Sequence, residues 1–330
     1  MRTILTFSVL LLALCVGCPS TDSKPIKNQP VEPAEIHDHD KIPPLVEPMS
    51  PQRDEPAEDS APAPETTVAP ETTAILSEAL EKFADEAVPL PPLEDLTAQI
   101  DYYITKIGTS LEGLDGSPKY AEDAADIIRD ANASALIALA IGLAEGDSKY
   151  KKSAPLIIAS AKTLAAAKNL DEGQKAYTAL KASLTGQGTG RLAWTDKVAD
   201  LKPAMKALPN LSSAVRRVSD TENKLDRFLG NVRGQEVYSQ TAAMATIAQG
   251  CIPNVAETTK PDAAAEWKKH CEEFRDLAIK TNAAAHQYAK DKADGKTPNY
   301  AAFDTSFKAM SESCDSCHKD FYPSAVGQHE

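Results

Sequence analysis

The sequence predicts an all-α fold for everything after residue 92. Alanine-rich runs such as ASALIALAIGLAE (133–145) and IIASAKTLAAAK (157–168) dominate the middle of the chain, and long β-branched runs are missing. Alanine loses no side-chain entropy in a helix, so these runs favour helices. From Leu93 onward apolar residues recur at helical spacing, and aromatic residues make up only 5% of the chain. We therefore expect packed helices with little or no sheet.

The first eighteen residues are predicted to be a signal peptide (1–18). A basic start is followed by an apolar run that ends at Val16, which is too short for a membrane-spanning helix. The segment VGC before and including Cys18 resembles the lipobox of bacterial lipoproteins, although Cys15 stands where that family usually has leucine. The resemblance implies lipidation of Cys18. Plain secretion, with Cys18 as an incidental thiol, is the alternative, and both place the protein outside the cytoplasm.

The segment 19–92 is predicted to be a disordered Pro-rich and acidic tether. It carries 15 of the 23 prolines, with Glu, Asp, Ser and Thr between them and few apolar side chains to bury. Such a segment cannot offset the entropy lost on ordering.

Eight helices are expected after the tether. The glycine-rich segment TGQGTG (185–190) interrupts the helical pattern and separates the first four from the last four. The predicted helices lie near residues 93–111, 119–145, 149–168, 171–185, 195–217, 220–250, 262–291 and 299–320.

The two sets of helices resemble one another. YKKSAPLIIASAKTLAAAKN (150–169) aligns with WKKHCEEFRDLAIKTNAAAHQ (267–287), and a comparable alanine-rich helix precedes each of them. The economical interpretation is a duplication that gave two tandem antiparallel four-helix units, residues 93–190 and residues 191–330.

The segment SESCDSCHKDF (311–321) carries the candidate chemistry. On a helix, Cys314, Cys317 and His318 share one face, so two sulfurs and one imidazole can reach the same group. This C-x-x-C-H spacing is typical of c-type haem attachment, with thioether bonds from both cysteines and the histidine on the iron.

Other interpretations of the motif are weaker. Zinc needs a fourth ligand, which His270 or Cys271 could supply, but no second C-x-x-C or H-x₃-H exists. A thioredoxin-like dithiol would begin a helix in a βαβ setting, whereas this motif ends the last helix of an all-α chain. A disulfide within one helical turn would constrain almost nothing.

The segment FKAMSESCDSCHKDFYP (307–323) resembles cytochrome c′ and its low-spin relatives in the cytochrome c-556 group, in which the haem motif closes the last helix of an exported bundle. The resemblance covers residues 195–330 and, more loosely, residues 93–190. It implies a four-helix bundle with one covalent haem between the helices at one end. KDFYP lacks the arginine that often follows the motif in the family.

Bundle topology predicts what else lies at the haem end: the start of the first helix of the second unit, Cys251, and the start of the third helix with Trp267. Met205 stands where the c-556 relatives carry their sixth iron ligand, and core packing is its alternative role. A His318/Met205 iron suits one-electron transfer. A five-coordinate iron, as in the c′ members, implies binding of small gases such as NO or CO. His286 is predicted at the far end as a surface histidine.

Two cysteines have no role in the haem site. Cys251 and Cys271 are predicted at the same end of neighbouring helices, and an oxidising compartment favours a disulfide between them. Two buried free thiols are the alternative.

The composition excludes several functions. The formal net charge of −13 and the lack of a basic, aromatic-rich stretch argue against nucleic-acid binding. No credible nucleophile, Walker motif or dinucleotide-binding motif indicates an enzyme. The sequence therefore predicts a non-enzymatic, lipid-anchored mono-haem cytochrome on the periplasmic side of a membrane, with redox proteins as partners. The haemless first unit is an alternative docking module, and the oligomeric state stays open, a dimer included.

Overall fold

The computed structural model describes residues 88–114, 120, 124–229 and 234–323. They all fall within one compact unit, Thr66–Glu330. The described residues form helices and no strand, so the all-α prediction is confirmed. The predicted signal peptide, Cys18 and the tether up to residue 87 lie outside the described residues. The helices are α1 (Leu93–Gly113), α2 (Ala125–Leu143), α3 (Ala154–Ala165), α4 (Leu170–Ser183), α5 (Leu201–Ser219), α6 (Glu222–Leu229), α7 (Gly234–Gly250), a 3₁₀ helix (Ile252–Glu257), α8 (Ala264–Ala293) and α9 (Tyr300–Phe321).

Helices α1 to α4 pack in a ring, because each packs on the next and α4 returns to α1. Tyrosine rings fill the space where α1 and α4 meet. Tyr177 lies over Gly108, where a Cβ atom would overlap its hydroxyl group, and donates a hydrogen bond of 2.9 Å to the carbonyl of Ile104. At Gly173 a Cβ atom would lie 2.6 Å from the Tyr120 hydroxyl. The two glycines therefore let the rings close this side of the first half.

The long helices of the second half also pack each on the next, but the last does not close the ring by packing on the first. Helix α5 packs on α7, α7 on α8 and α8 on α9. Between α5 and α9, both fully described, there is no comparable packing. The two helices meet at one end, where the hydroxyl of Tyr300 donates to the carbonyl of Ser219 at 2.9 Å. We call the side of the second half where these two helices face each other the α5–α9 seam.

The two halves pack on each other in a reciprocal pattern. Helix α1 contacts α7, and its counterpart α5 contacts α2, while α2 and α7 touch at the centre. These two central helices are alanine-rich and almost wholly buried, and a Cβ atom at Gly250 would lie 2.5 Å from Cδ2 of Leu136. This exchange of partners supports the duplication hypothesis. No described helix combines the length and apolar character needed to cross a bilayer.

The predicted helix over residues 220–250 is wrong as a single element. Helix α6 ends at Leu229 and α7 begins at Gly234. A Cβ atom at Gly234 would lie 3.1 Å from both Cα and the carbonyl oxygen of Leu229, an approach that a continuous helix does not allow. Gly234 thus lies against Leu229, and the lack of a side chain makes that approach feasible.

A buried carboxylate joins the first helix to the second half. Asp95, in the first turn of α1, has no exposed surface and accepts hydrogen bonds from Gln235 Nε2 (3.1 Å), Asn282 Nδ2 (2.9 Å) and His286 Nε2 (2.8 Å). The imidazole of His286 also stacks on Tyr238, with ring centroids 3.9 Å apart. His286 lies away from the C-x-x-C-H motif, as the topology predicts. It is not an ordinary surface histidine, because it pairs with a buried carboxylate.

Candidate functional site

The C-x-x-C-H motif lies on the last two turns of α9, on the face that meets the core. Asn299 begins this helix by accepting a hydrogen bond from the Ala302 N–H at 3.2 Å. Cys314 and Cys317 are half-buried and pack against the hydrophobic core. They continue an apolar stripe whose spacing of three and four residues is that of one helix face. The buried apolar residues of this stripe are Phe303, Phe307, Met310 and Phe321.

The two motif sulfurs are neutral thiols in apolar surroundings. Burial raises the pKa of Cys314 to about 12, with a smaller contribution from Cys317. Burial likewise raises the pKa of Cys317 to about 12, helped by the negative charge of Asp320.

The start of α8 and the segment between α7 and α8 meet the end of α9, as the topology predicts. The indole Nε1 of Trp267, at the start of α8, donates to the carbonyl of Cys251 at 3.0 Å. Its ring packs edge-on against Phe321, with centroids 5.2 Å apart. The hydroxyl of Thr259 donates to the carbonyl of Phe321 at 2.6 Å. The last turn of α9 is therefore tied to the segment between α7 and α8.

Glu257 fixes the start of α5 at this same end. Its carboxylate accepts hydrogen bonds from the Leu201 N–H at 3.0 Å and from Lys197 Nζ at 2.8 Å. Burial alone would raise the pKa of Glu257, but the hydrogen bonds from Lys197 and Leu201 outweigh it and leave the pKa lowered. Asp200, the residue that caps α5 by position, makes no side-chain cap bond. Glu257 therefore caps the helix that carries Met205.

Met205 lies in the second turn of α5, partly buried against the core. Through the Leu201–Glu257 contact, its turn lies at the same end of the second half as the motif. Pro209 stands inside α5 and has no N–H to donate to the Met205 carbonyl, which loosens the helix at this turn. Ligation of the iron by Met205 stays a prediction.

The other two cysteines lie at this end and are fully buried. The four described cysteines are all free thiols in the structure. Burial raises the pKa of Cys251, and burial together with the nearby Cys251 and Cys317 raises that of Cys271. The Cys251–Cys271 disulfide stays a prediction about the oxidised protein.

One group of metal-ligating side chains occurs among the described residues, and it does not include the motif cysteines. It consists of Glu266, His270 and Asp320, whose ligand atoms lie within 4.8 Å of one another. His270, the fourth zinc ligand weighed from the sequence, thus belongs to a different group. Glu266 and His270 are four residues apart on α8, a spacing visible in the sequence. Their partner on α9 was not predicted.

No protein family, curated protein or solved structure that was compared matches this chain. A function for the protein therefore depends on the motif and on the residues around it.

Proposed function

We propose that this protein is an exported, membrane-anchored mono-haem c-type cytochrome that transfers single electrons. Cys314, Cys317 and His318 would hold the haem. The observation that carries this proposal is the position of the C-x-x-C-H motif, which continues the core-facing stripe of α9 at a crowded bundle end. A surface dithiol or a structural disulfide would not need that face.

The α5–α9 seam supports a haem in the second half alone. In the first half α4 packs on α1, whereas α9 and α5 pack far less closely and meet at the end away from the motif. We propose that a flat macrocycle binds along this side, where the two helices pack least and where the motif lies. The proposal accordingly includes two four-helix units, of which only residues 191–330 bind haem.

Each residue at the site would have a defined task. Cys314 and Cys317 would hold the haem covalently through their sulfurs. The imidazole of His318 and the thioether of Met205 would hold the iron. Trp267 and Phe321 would exclude water from this end. When bound, the haem supplies one-electron oxidation and reduction of its iron, and methionine ligation raises the reduction potential.

The N-terminal part of the proposal is lipidation of Cys18, followed by the tether of residues 19–92. This arrangement would let the haem unit reach redox proteins away from the membrane surface. Replacing Cys18 with serine should release the protein into the soluble periplasmic fraction without stopping export. Wild-type protein recovered in that fraction would contradict the anchor.

Haem attachment is tested on the full chain, expressed with its signal peptide in a host that assembles c-type cytochromes. Intact-mass measurement should show one haem per chain. Cys314→Ala/Cys317→Ala should lose the adduct. The matched control, Cys251→Ala/Cys271→Ala, removes two cysteines from the same end and should keep it. A wild-type chain without haem, or an adduct that survives in the first variant, would refute the proposal.

The visible spectrum of the reduced protein then separates the two haem functions. A His/Met haem that transfers electrons has six-coordinate, low-spin iron, and its reduced spectrum shows sharp α and β bands. A high-spin spectrum would instead favour the binding of small gases at an open iron position.

A further inference from the structure

Helix α5 presents a row of basic side chains to solvent. Its sequence, LKPAMKALPNLSSAVRRVS, contains four basic residues and no acidic one. Lys202, Lys206, Arg216 and Arg217 are all exposed. Because a helix turns by about 100° per residue, these four positions share one face, opposite the face that packs on the core. We call these four residues the α5 basic stripe.

The stripe has no partner in the described part of the chain. None of its four side chains makes a hydrogen bond, an ion pair or a ring contact with a described residue. Two acidic residues flank α5, but the carboxylate of Asp200 lies 3.6 Å from Lys197 Nζ and that of Asp220 lies 2.7 Å from Lys224 Nζ. Like charges on one face repel one another, so an anionic segment bound along them would relieve that repulsion.

The most acidic part of this chain lies just before the described residues. Residues 47–86 contain eleven acidic and two basic residues, a net charge of −9. Residues 93–330 contain 32 acidic and 29 basic residues, a net charge of only −3. Most of the net charge of −13 therefore belongs to one segment of about forty residues, and its sign is opposite to that of the stripe.

This segment joins the fold at the end of the second half where the stripe's arginines lie. Asp95, in the first turn of α1, contacts His286 near the end of α8. Tyr300, which begins α9, contacts the carbonyl of Ser219 at the end of α5. Because α9 follows α8, both contacts lie away from the motif. The stripe then runs along α5 for about 24 Å, and a coil of forty residues spans roughly 35 Å.

We propose that the acidic segment 47–86 docks on the α5 basic stripe of the same molecule. Single surface ion pairs contribute little, but the segment and the stripe are covalently connected. Their effective concentration is therefore on the order of millimolar, and several weak pairs suffice. The docking depends on charge alone, so it weakens as salt rises.

Docking would control access to the proposed haem site. Met205 borders the stripe, one turn from Lys202, so the docked segment covers the surface beside the proposed iron ligand. A redox protein that approaches this surface would have to displace the segment. This consequence rests on the proposed function, whereas the docking itself needs no haem.

The test is carbodiimide cross-linking of the full-length protein, followed by mass spectrometry of the linked peptides. This reagent joins a lysine to a carboxylate only when the two are in contact. Lys202 and Lys206 should link to residues 47–86 in about 20 mM NaCl, and the yield should fall at least about fivefold in about 500 mM NaCl. A mixture of ¹⁴N and ¹⁵N protein distinguishes links within one molecule from links between two.

Arg216→Gln/Arg217→Gln provides the decisive variant, because it weakens the stripe but keeps both reporting lysines. Its links from Lys202 and Lys206 to the segment should fall at least about threefold. The matched control, Lys162→Gln/Lys280→Gln, removes the same charge from exposed positions on other helices and should link like the wild type. The haemless Cys314→Ala/Cys317→Ala protein should also link like the wild type, so failure of haem attachment, seen by mass, leaves this test intact.

Three results would overturn the proposal. The first is a yield from Lys202 and Lys206 no higher than that from Lys162 and Lys280. The second is a yield that neither salt nor the arginine variant lowers. The third is links only between ¹⁴N and ¹⁵N chains, which would assign the stripe to a second copy. If these links are missing and the stripe instead binds phosphatidylglycerol vesicles, its partner is a lipid surface and the docking proposed here is wrong.

Discussion

Removing the imidazole of His286 should destabilise the protein far more than its partial exposure suggests. The Asp95 carboxylate has no exposed surface, and His286 is one of its three side-chain donors. A hydrogen bond to a charged group contributes about 1.5–3 kcal/mol, and depriving a buried charge of its partner can cost about 3–5 kcal/mol. His286 is 36% exposed, so water can partly replace it in His286→Ala. Two amide donors also remain.

We therefore expect His286→Ala to lower the free energy of unfolding by about 2–3 kcal/mol. At roughly 2–4 °C per kcal/mol for a domain of this size, Tm should fall by about 5–10 °C. Far-UV circular dichroism during thermal and urea unfolding measures both quantities. His286→Gln retains an N–H donor and should lose less. Gln287→Ala, an exposed neighbour, should stay within about 0.5 kcal/mol of the wild type. A His286→Ala protein as stable as Gln287→Ala would refute the reasoning.

Three further predictions concern the motif end. Met205→Ala should convert a low-spin haem spectrum to a high-spin one and lower the reduction potential; a wild type that is already high-spin would contradict ligation by Met205. Glu257→Gln should cost about 1–2 kcal/mol at pH 7, measured by urea unfolding. The pKa of Glu257 is lowered in the folded protein, so its carboxylate stabilises the fold above the usual carboxyl pKa near 4.3. This stabilisation is lost as pH falls through the lowered pKa. The unfolding free energies of the wild type and Glu257→Gln should therefore converge in acid. An equal difference in unfolding free energy between the two proteins at all pH values would argue against this role of Glu257. Thiol counting in denaturant without reductant should find no free thiol from Cys251 and Cys271 in the haem-loaded protein, and two free thiols would exclude their disulfide.

The sequence predicted the helices well because their signals are local. Alanine content and helical spacing predicted a helix wherever the structure describes an α-helix, although α6 and α7 were predicted as one. The spacing of Cys314, Cys317 and His318 predicted a shared face that the stripe of α9 continues. The break between Leu229 and Gly234 was missed. A glycine inside a helical pattern costs only about 1 kcal/mol, so spacing alone does not distinguish a tolerated glycine from a reversal.

Pairs of residues far apart in the sequence could not be predicted. Asp95 and His286 are 191 residues apart, and His270 and Asp320 are 50 apart. Glu257 caps a helix that begins 56 residues earlier. In each pair, one polar group has its hydrogen-bond partner only because packing brings another helix next to it. Neither composition nor periodicity contains that information.

The two halves differ most where the second carries the motif. Helix α4 has 14 residues and α9 has 22. When the starts of the two helices are aligned, Ser183 at the end of α4 corresponds to residue 313, so the whole motif lies in the additional turns of α9. In the first half, the glycine-rich segment that follows α4 folds back onto the start of α3. There the N–H of Gly188 donates to the carbonyl of Lys152 at 2.8 Å, and a Cβ atom at Gly186 would lie 2.5 Å from Cδ1 of Leu156.

The end of α9 packs on the start of α8 in the corresponding way, through Phe321 and Trp267. The glycine-rich segment thus takes the place in the first half that the motif turns take in the second. Tyr177 packs over Gly108 and closes the side of the first half where α1 and α4 meet. The second half has no comparable closure along the α5–α9 seam. A haem in the first half would have neither attachment cysteines nor space between its helices. For both reasons the haem that we propose for this chain is a single one, bound in the second half.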